Sequence, residues 1–129
     1  MGRIVVRKMT NAHDDFYFLL GPFLSRRDIV KEVGGPIWDD PEKVWFLALD
    51  RKHVLGFCAL HKQQLCSVYV IREARSRGIG RALIEEAIAS AATPLSIVAV
   101  KSSEKFYAKL GFKKSKEGKG YVWMQRLVG

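Results

Sequence analysis

Cysteine, proline and uninterrupted apolar sequence are all scarce in this 129-residue chain: two cysteines, four prolines, and no stretch approaching the roughly 20 apolar residues of a membrane span. A membrane-embedded protein is therefore not expected. Cys58 and Cys66 are too few for a disulfide framework or a zinc site. If their strands pair across a turn at His61–Gln64, Cys58 lies opposite Ser67 and Cys66 opposite Ala59. The two thiols then face opposite sides of a sheet, as buried and inert groups. His13, His53 and His61 are too scattered for a familiar ligand spacing, so no metal is expected. Met1–Met9 alternates apolar and charged residues without a continuous apolar core, which argues against a signal peptide and for the cytoplasm. Repeats, low-complexity tracts and long linkers are absent too, and residues 1–129 are expected to form one domain.

Acidic residues are also few: 13 against 22 lysines and arginines, for a net charge of +9. The imbalance sits in the second half, where residues 65–129 hold 12 basic and 5 acidic side chains against 10 and 8 in residues 1–64. Such a field draws in anionic partners. Lys101, Lys105, Lys109, Lys113, Lys114, Lys116 and Lys119, interleaved with Phe106, Tyr107 and Phe112, raise the possibility of a basic nucleic-acid-binding module. No helix-turn-helix, zinc or RNA-recognition signature accompanies them, and the spacing of four from 101 to 113 equally suits a solvated helix edge.

What is present is a regular alternation of short apolar elements. Strands are predicted over Arg3–Lys8, Val44–Leu49, Val54–Leu60, Leu65–Ile71, Leu95–Val100 and Tyr121–Leu127. The near-continuous apolar character of Leu95–Val100 predicts a central strand. Helices are predicted behind a cap at Asn11 or Asp14 through Leu20, stopped by Gly21-Pro22, over Arg26–Val33 behind Ser25, and over about Gly78–Ala92 with Ile79, Leu83, Ala87 and Ala91 on one stripe. A last one spans Glu104–Leu110, capped by Ser102 or Ser103. The sum is an α+β fold with a mixed sheet.

The most informative segment runs from Val68 to Ile84. A β-branched strand ends in a basic turn with two glycines, and a helix starts at once. Glycine lets the main chain approach a ligand closely. The unpaired N–H groups of the first helical turn, with the positive end of the helix dipole behind them, then form an anion site. Arg75, Arg77 and Arg81 add charge there, and a phosphorylated ligand is the natural occupant. A nucleoside-triphosphate loop is excluded because Gly-Lys-Ser/Thr is missing, and a dinucleotide fingerprint because Leu83 stands where a third small residue belongs. What remains is Arg-x-x-Gly-x-Gly.

That motif, carried by Arg75, Gly78 and Gly80, together with Phe106-Tyr107-Ala108-Lys109-Leu110-Gly111-Phe112, resembles the GNAT superfamily of N-acetyltransferases, and the order of elements agrees from Arg3 to Leu127. The resemblance implies α/β/α layers around a mostly antiparallel, splayed sheet. It implies acetyl-CoA as cosubstrate, with the pantetheine arm along the main chain of Val68, Tyr69 and Val70. The pyrophosphate would lie on the amides of Arg75, Ser76, Arg77, Gly78, Ile79, Gly80 and Arg81. It implies that Tyr107 protonates the departing thiolate of a reaction with an amine acceptor, in a monomer or homodimer, and it leaves room for an acyl-CoA sensor without turnover. The chain departs from the family pattern in two places. Val100 stands where many relatives carry a cofactor-contacting Asn, so either Lys101, Ser102 or Ser103 substitutes, Ser103 being the candidate taken, or the contact is lost. Cys66, Ser67 and Tyr69 supply no carboxylate as general base, so the base is left open, with His53, His61, Asp39 and Asp40 able to act through water. Trp38-Asp39-Asp40 reads either as an aromatic and acidic lip for the acceptor or as a surface turn.

Overall fold

In the computed structural model, which describes residues 4–33, 37, 41–91 and 94–127, seven strands form one sheet in the order β1-β2-β3-β4-β5-β7-β6. The strands are β1 (Ile4–Met9), β2 (Lys43–Asp50), β3 (His53–His61), β4 (Gln64–Val70), β5 (Leu95–Val100), β6 (Lys113–Glu117) and β7 (Tyr121–Arg126). The helices are α1 (Phe16–Leu24), α2 (Arg27–Val33), α3 (Ile79–Ser90) and α4 (Glu104–Lys109). Every neighbouring pair is antiparallel except β4 and β5. This is the expected α+β class, with β5 inside the sheet as its apolar run requires.

Alternation along the strands sorts the core into two layers. Cys58, Leu60, Leu65 and Ile97 pack on one face with Leu83, Ile84 and Ala87 of α3 and Tyr107 of α4. Trp45, Leu47, Phe57, Ala59 and Tyr69 pack on the other with Phe16 and Leu20 of α1 and Ile29 of α2. Because β2 and β3 are covered on both sides, their sequences read as nearly unbroken apolar runs. The layers do not extend over the whole sheet: Val98, Tyr121 and Trp123 on β5 and β7 remain partly exposed. No helix among the described residues is long and apolar enough to cross a membrane.

Several local expectations need correction. The first helix starts at Phe16 behind Asp15, not behind Asn11 or Asp14, and it runs through Gly21-Pro22 to Leu24. Pro22 removes one hydrogen bond near the end of a short helix. The carbonyl that loses its partner belongs to Phe18, a largely exposed residue, while buried Leu19 and Leu20 hold the helix down. Lys113–Glu117 is a strand, and sequence reading missed it because all five side chains are exposed and show no alternation. A lysine-rich strand at a sheet edge discourages pairing with other chains. The lysines spaced by four therefore do not share one helix edge: Lys101 lies in a 3-10 turn before α4, Lys105 and Lys109 lie on α4, and Lys113 lies on β6. Lys114 pairs with Glu117 and Glu104, and Lys101 with Glu117, so part of this charge is locally balanced.

Candidate functional site

β4 and β5 pair only at Gln64–Ser96 and Leu65–Ile97 and then diverge. The edge of β4 beyond Cys66 consequently presents main-chain donors and acceptors to an opening in the sheet, the kind of edge that accepts an extended ligand as an extra strand. The pairing of β3 with β4 is also irregular here. Phe57 faces Tyr69 and Ala59 faces Cys66, leaving Cys58 opposite both Ser67 and Val68. The Cys66–Ala59 register was legible in the sequence. The expected Cys58–Ser67 pair does not form in the ladder, because Ser67 adopts φ 55° in a bulge and takes main-chain groups out of it. Cys58 and Cys66 form no disulfide and lie on opposite faces, Cys58 buried as expected and Cys66 only partly so; burial pushes the Cys58 thiol well above its ordinary range.

The turn after β4 builds the second half of the site. A short 3-10 turn at Arg72–Ala74 precedes two left-handed residues, Ser76 at φ 69° and Gly78 at φ 79°, the latter at the N-cap of α3. A glycine carries φ 79° without strain, whereas a residue with a Cβ does not. Ala82 is the first to bond back, to the Gly78 carbonyl at 3.0 Å. The N–H groups of Ile79, Gly80 and Arg81 thus belong to the helix's unpaired first turn. Gly80 keeps the wall between them low: a Cβ there would touch Phe106 at 3.5 Å and Val70 at 3.7 Å.

These pieces enclose a groove of about 440 Å³ lined by Val68, Tyr69, Val70, Arg75, Ser76, Gly78, Ile79, Gly80, Arg81, Ser103 and Tyr107, with Ala74, Glu32 and Phe106 added. It adjoins a narrow pocket of about 70 Å³ in the split between β4 and β5. Val68, Ser103, Tyr107 and Glu32 line both. Ser103 stands at the N-cap of α4 as expected, but its side chain makes no capping hydrogen bond. Of the three substitutes for the missing Asn, it is the one that lines these cavities.

The arginines divide into distinct roles. Arg75 donates from Nε to the Val70 carbonyl at 2.9 Å, packs its guanidinium over the Tyr69 ring at 5.6 Å, and forms an ion pair with Glu32. Arg81 is bound to Glu85 one helical turn on, at 2.6 Å. Arg77 is exposed and does not line the groove.

Tyr107 is 5 % exposed and packs edge-on against Phe106 and Phe112. Burial, reinforced by nearby Cys58, pushes its phenol far above its ordinary value and keeps it protonated. Among the possible bases, His61 contacts Glu42 at 3.1 Å at the far end of β3, and His53 lies at the opposite end; neither lines the cavities. Asp39, Asp40 and the Trp38 lip fall outside the described residues. Sequence reading passed over Glu32 and Phe106 as cavity walls. Phe106 stood in plain view inside the second motif, whereas nothing local in α2 marks Glu32, which meets Arg75 across 43 positions. Among the described residues no cluster of His, Cys, Asp and Glu is arranged to hold a metal.

A family model described as an acetyltransferase (GNAT) domain matches residues 40–114, more than half of the chain. No curated protein matches at the sequence level. Solved structures of the same fold include an acyl-CoA N-acyltransferase from Pseudomonas aeruginosa, 17% identical, with a TM-score of 0.76 over 96% of this chain and 99% of that one. An acetyltransferase from Thermus thermophilus is 18% identical, with a TM-score of 0.74 over 99% and 100%. A candidate streptothricin acetyltransferase from Bacillus anthracis, solved in complex with acetyl coenzyme A, is 14% identical, with a TM-score of 0.73 over 98% and 99%.

Proposed function

The chain belongs to the GNAT family of acetyltransferases, and on that premise we propose that it moves an acetyl group from acetyl-CoA to the nitrogen of a primary amine by direct attack. The observation that carries this reading is the continuity of the two cavities: the groove at the Gly78 turn leads past Val68 to Tyr107 at the split in the sheet. Three features of the chain suit such a donor. The left-handed turn and unpaired amides of α3 suit a diphosphate, the open edge of β4 suits an amide-bearing arm, and Tyr107 stands where the arm would end.

Bound there, the thioester supplies the activated carbonyl; the chain's own residues do the rest. A main-chain N–H freed near Val68 stabilises the charge that grows on the carbonyl oxygen, a contribution of typically ~3 kcal/mol. The amine nitrogen forms its bond to the acetyl carbon as the carbon–sulfur bond breaks, and the amine's surplus proton passes to solvent. Tyr107 donates a hydrogen bond to the sulfur as it gains charge. A phenol is a weaker acid than a thiol even at reference values, so full transfer would be uphill by roughly 2 kcal/mol. Burial makes Tyr107 a weaker acid still. It therefore serves as a neutral donor, and the thiolate takes its proton from water.

With no carboxylate on β4, the acceptor's own proton matters. Neutralising a lysine-type amine at pH 7 costs roughly 4–5 kcal/mol, and an α-amine near pKa 7.8 costs about 1 kcal/mol. Free CoA thiol should appear when enzyme and acetyl-CoA meet primary amines, and peptide α-amines should be acetylated at least ~10-fold faster than lysine side chains at pH 7. Thiol release from no amine at all would contradict the transferase; faster turnover of lysine side chains would contradict the low-pKa acceptor. The basic-module alternative draws less support, since its lysines are split between α4 and β6 and partly paired with Glu104 and Glu117.

A further inference from the structure

Glu32 is the single carboxylate, among the described residues, that lines either cavity, and it lines both. It sits one residue from the end of α2, on the side of the sheet away from α3. Its partner Arg75 belongs to the turn that opens the anion site. The pair thus ties α2 to the turn that would hold the diphosphate. Both side chains are about 40% exposed, so the pair is screened by water and easily exchanged. Arg75 keeps a second hold through Nε on the Val70 carbonyl, which leaves its terminal nitrogens free to change partner without the side chain leaving the site.

Resting on the acetyl-CoA reading above, we propose that the Glu32–Arg75 ion pair is an exchangeable latch: the donor's diphosphate takes the guanidinium, and the released Glu32 carboxylate takes the acceptor's ammonium group. The chemistry on each side favours the exchange. A guanidinium matches a phosphate's oxygens in the same forked geometry it uses for a carboxylate. A carboxylate that loses its arginine at the mouth of a cavity attracts a cation, and an aminoalkyl acceptor brings one. Glu32 also lines the narrow pocket beside Val68 and Tyr107, so an ammonium docked on it stands beside the groups assigned to the reacting end. The acceptor class that follows is an amine that arrives protonated, not an uncharged aromatic amine.

The latch makes a prediction that a merely structural bridge does not. If Glu32 competes for Arg75, then Glu32→Gln should bind CoA about 3- to 10-fold more tightly than wild type in titration calorimetry. The same substitution in an Arg75→Ala background should change CoA affinity by less than about twofold, because the competitor then has nothing to hold. With acetyl-CoA saturating and a dipeptide amide bearing a free α-amine, mostly protonated at pH 7, as the cationic probe, Glu32→Gln should raise KM about tenfold or more and leave kcat nearly unchanged. Unchanged or weaker CoA binding in Glu32→Gln overturns the latch, as does an equal effect in the Arg75→Ala background. Such results leave the transferase standing so long as wild type binds CoA and turns over. Absence of CoA binding by wild type instead removes the proposed function and the latch together.

Discussion

Gly78→Glu should weaken acetyl-CoA binding at least ~100-fold, about 2.7 kcal/mol, while the protein still folds. The substitution meets no steric obstacle, since a Cβ at this position has nothing within 4 Å. Its cost lies elsewhere. Residue 78 holds φ 79°, which charges a residue with a side chain about 1–2 kcal/mol for the left-handed backbone. The added carboxylate then stands at the positive end of α3, where the N–H groups of Ile79, Gly80 and Arg81 are unpaired. It satisfies those groups itself and repels the diphosphate that would use them. The helix gains a favourable charge at its N-terminus, so the melting temperature should fall only slightly. Gly78→Ala separates the two causes. It carries the backbone strain without the charge, and its affinity should fall by no more than ~10-fold. Calorimetric titration of the three proteins checks the order, and equal affinities would remove the turn from the site.

Tyr107→Phe should lower kcat about 100-fold, the low end of what a hydrogen-bond donor aimed at developing charge contributes, and leave the acetyl-CoA dissociation constant within about twofold. The packing around the ring allows this clean separation. The ring stays between Phe106 and Phe112 when only the hydroxyl is removed. The pH dependence follows from burial. The phenol ordinarily titrates at 10.0, and in the folded chain its value is raised by desolvation. Turnover should therefore show no downward limb from Tyr107 ionisation near pH 10. Stability has the opposite sign of dependence. Below pH 10 the phenol is protonated in both folded and unfolded chains and costs nothing. Above it the unfolded chain ionises while the folded chain does not, and stability falls by as much as ~1.4 kcal/mol per pH unit. Urea unfolding at pH 9 and pH 11 should thus show a smaller alkaline loss in Tyr107→Phe than in wild type. Equal losses would mean that the hydroxyl is not buried in solution, and equal kcat would take Tyr107 out of the mechanism.

Much of this site was legible because its signals are local. The strand, turn and helix from Val68 to Ile84 carry their own punctuation in Gly78 and Gly80, and the structure ends the strand and starts the helix within one residue of their expected places. The opposite facings of Cys58 and Cys66 followed from simple alternation. Three things were not legible, each for a reason. The bulge at Ser67 breaks alternation without a glycine or proline to announce it. β6 is a strand through its pairing with β7 alone, since Lys-Lys-Ser-Lys-Glu has no apolar face. Glu32 and Arg75 meet across the fold, where no sequence spacing records their contact.

The central claim is that main-chain groups, along β4 and at the start of α3, hold a CoA thioester. The most direct measurement is the backbone amide spectrum of nitrogen-15-labelled protein during titration with CoA. The account predicts large shifts at residues 68–70 and 76–81, with Lys113–Lys119 on β6 and its turn nearly unmoved. Shifts concentrated on that lysine segment, with the amides around Gly78 unaffected, would contradict it.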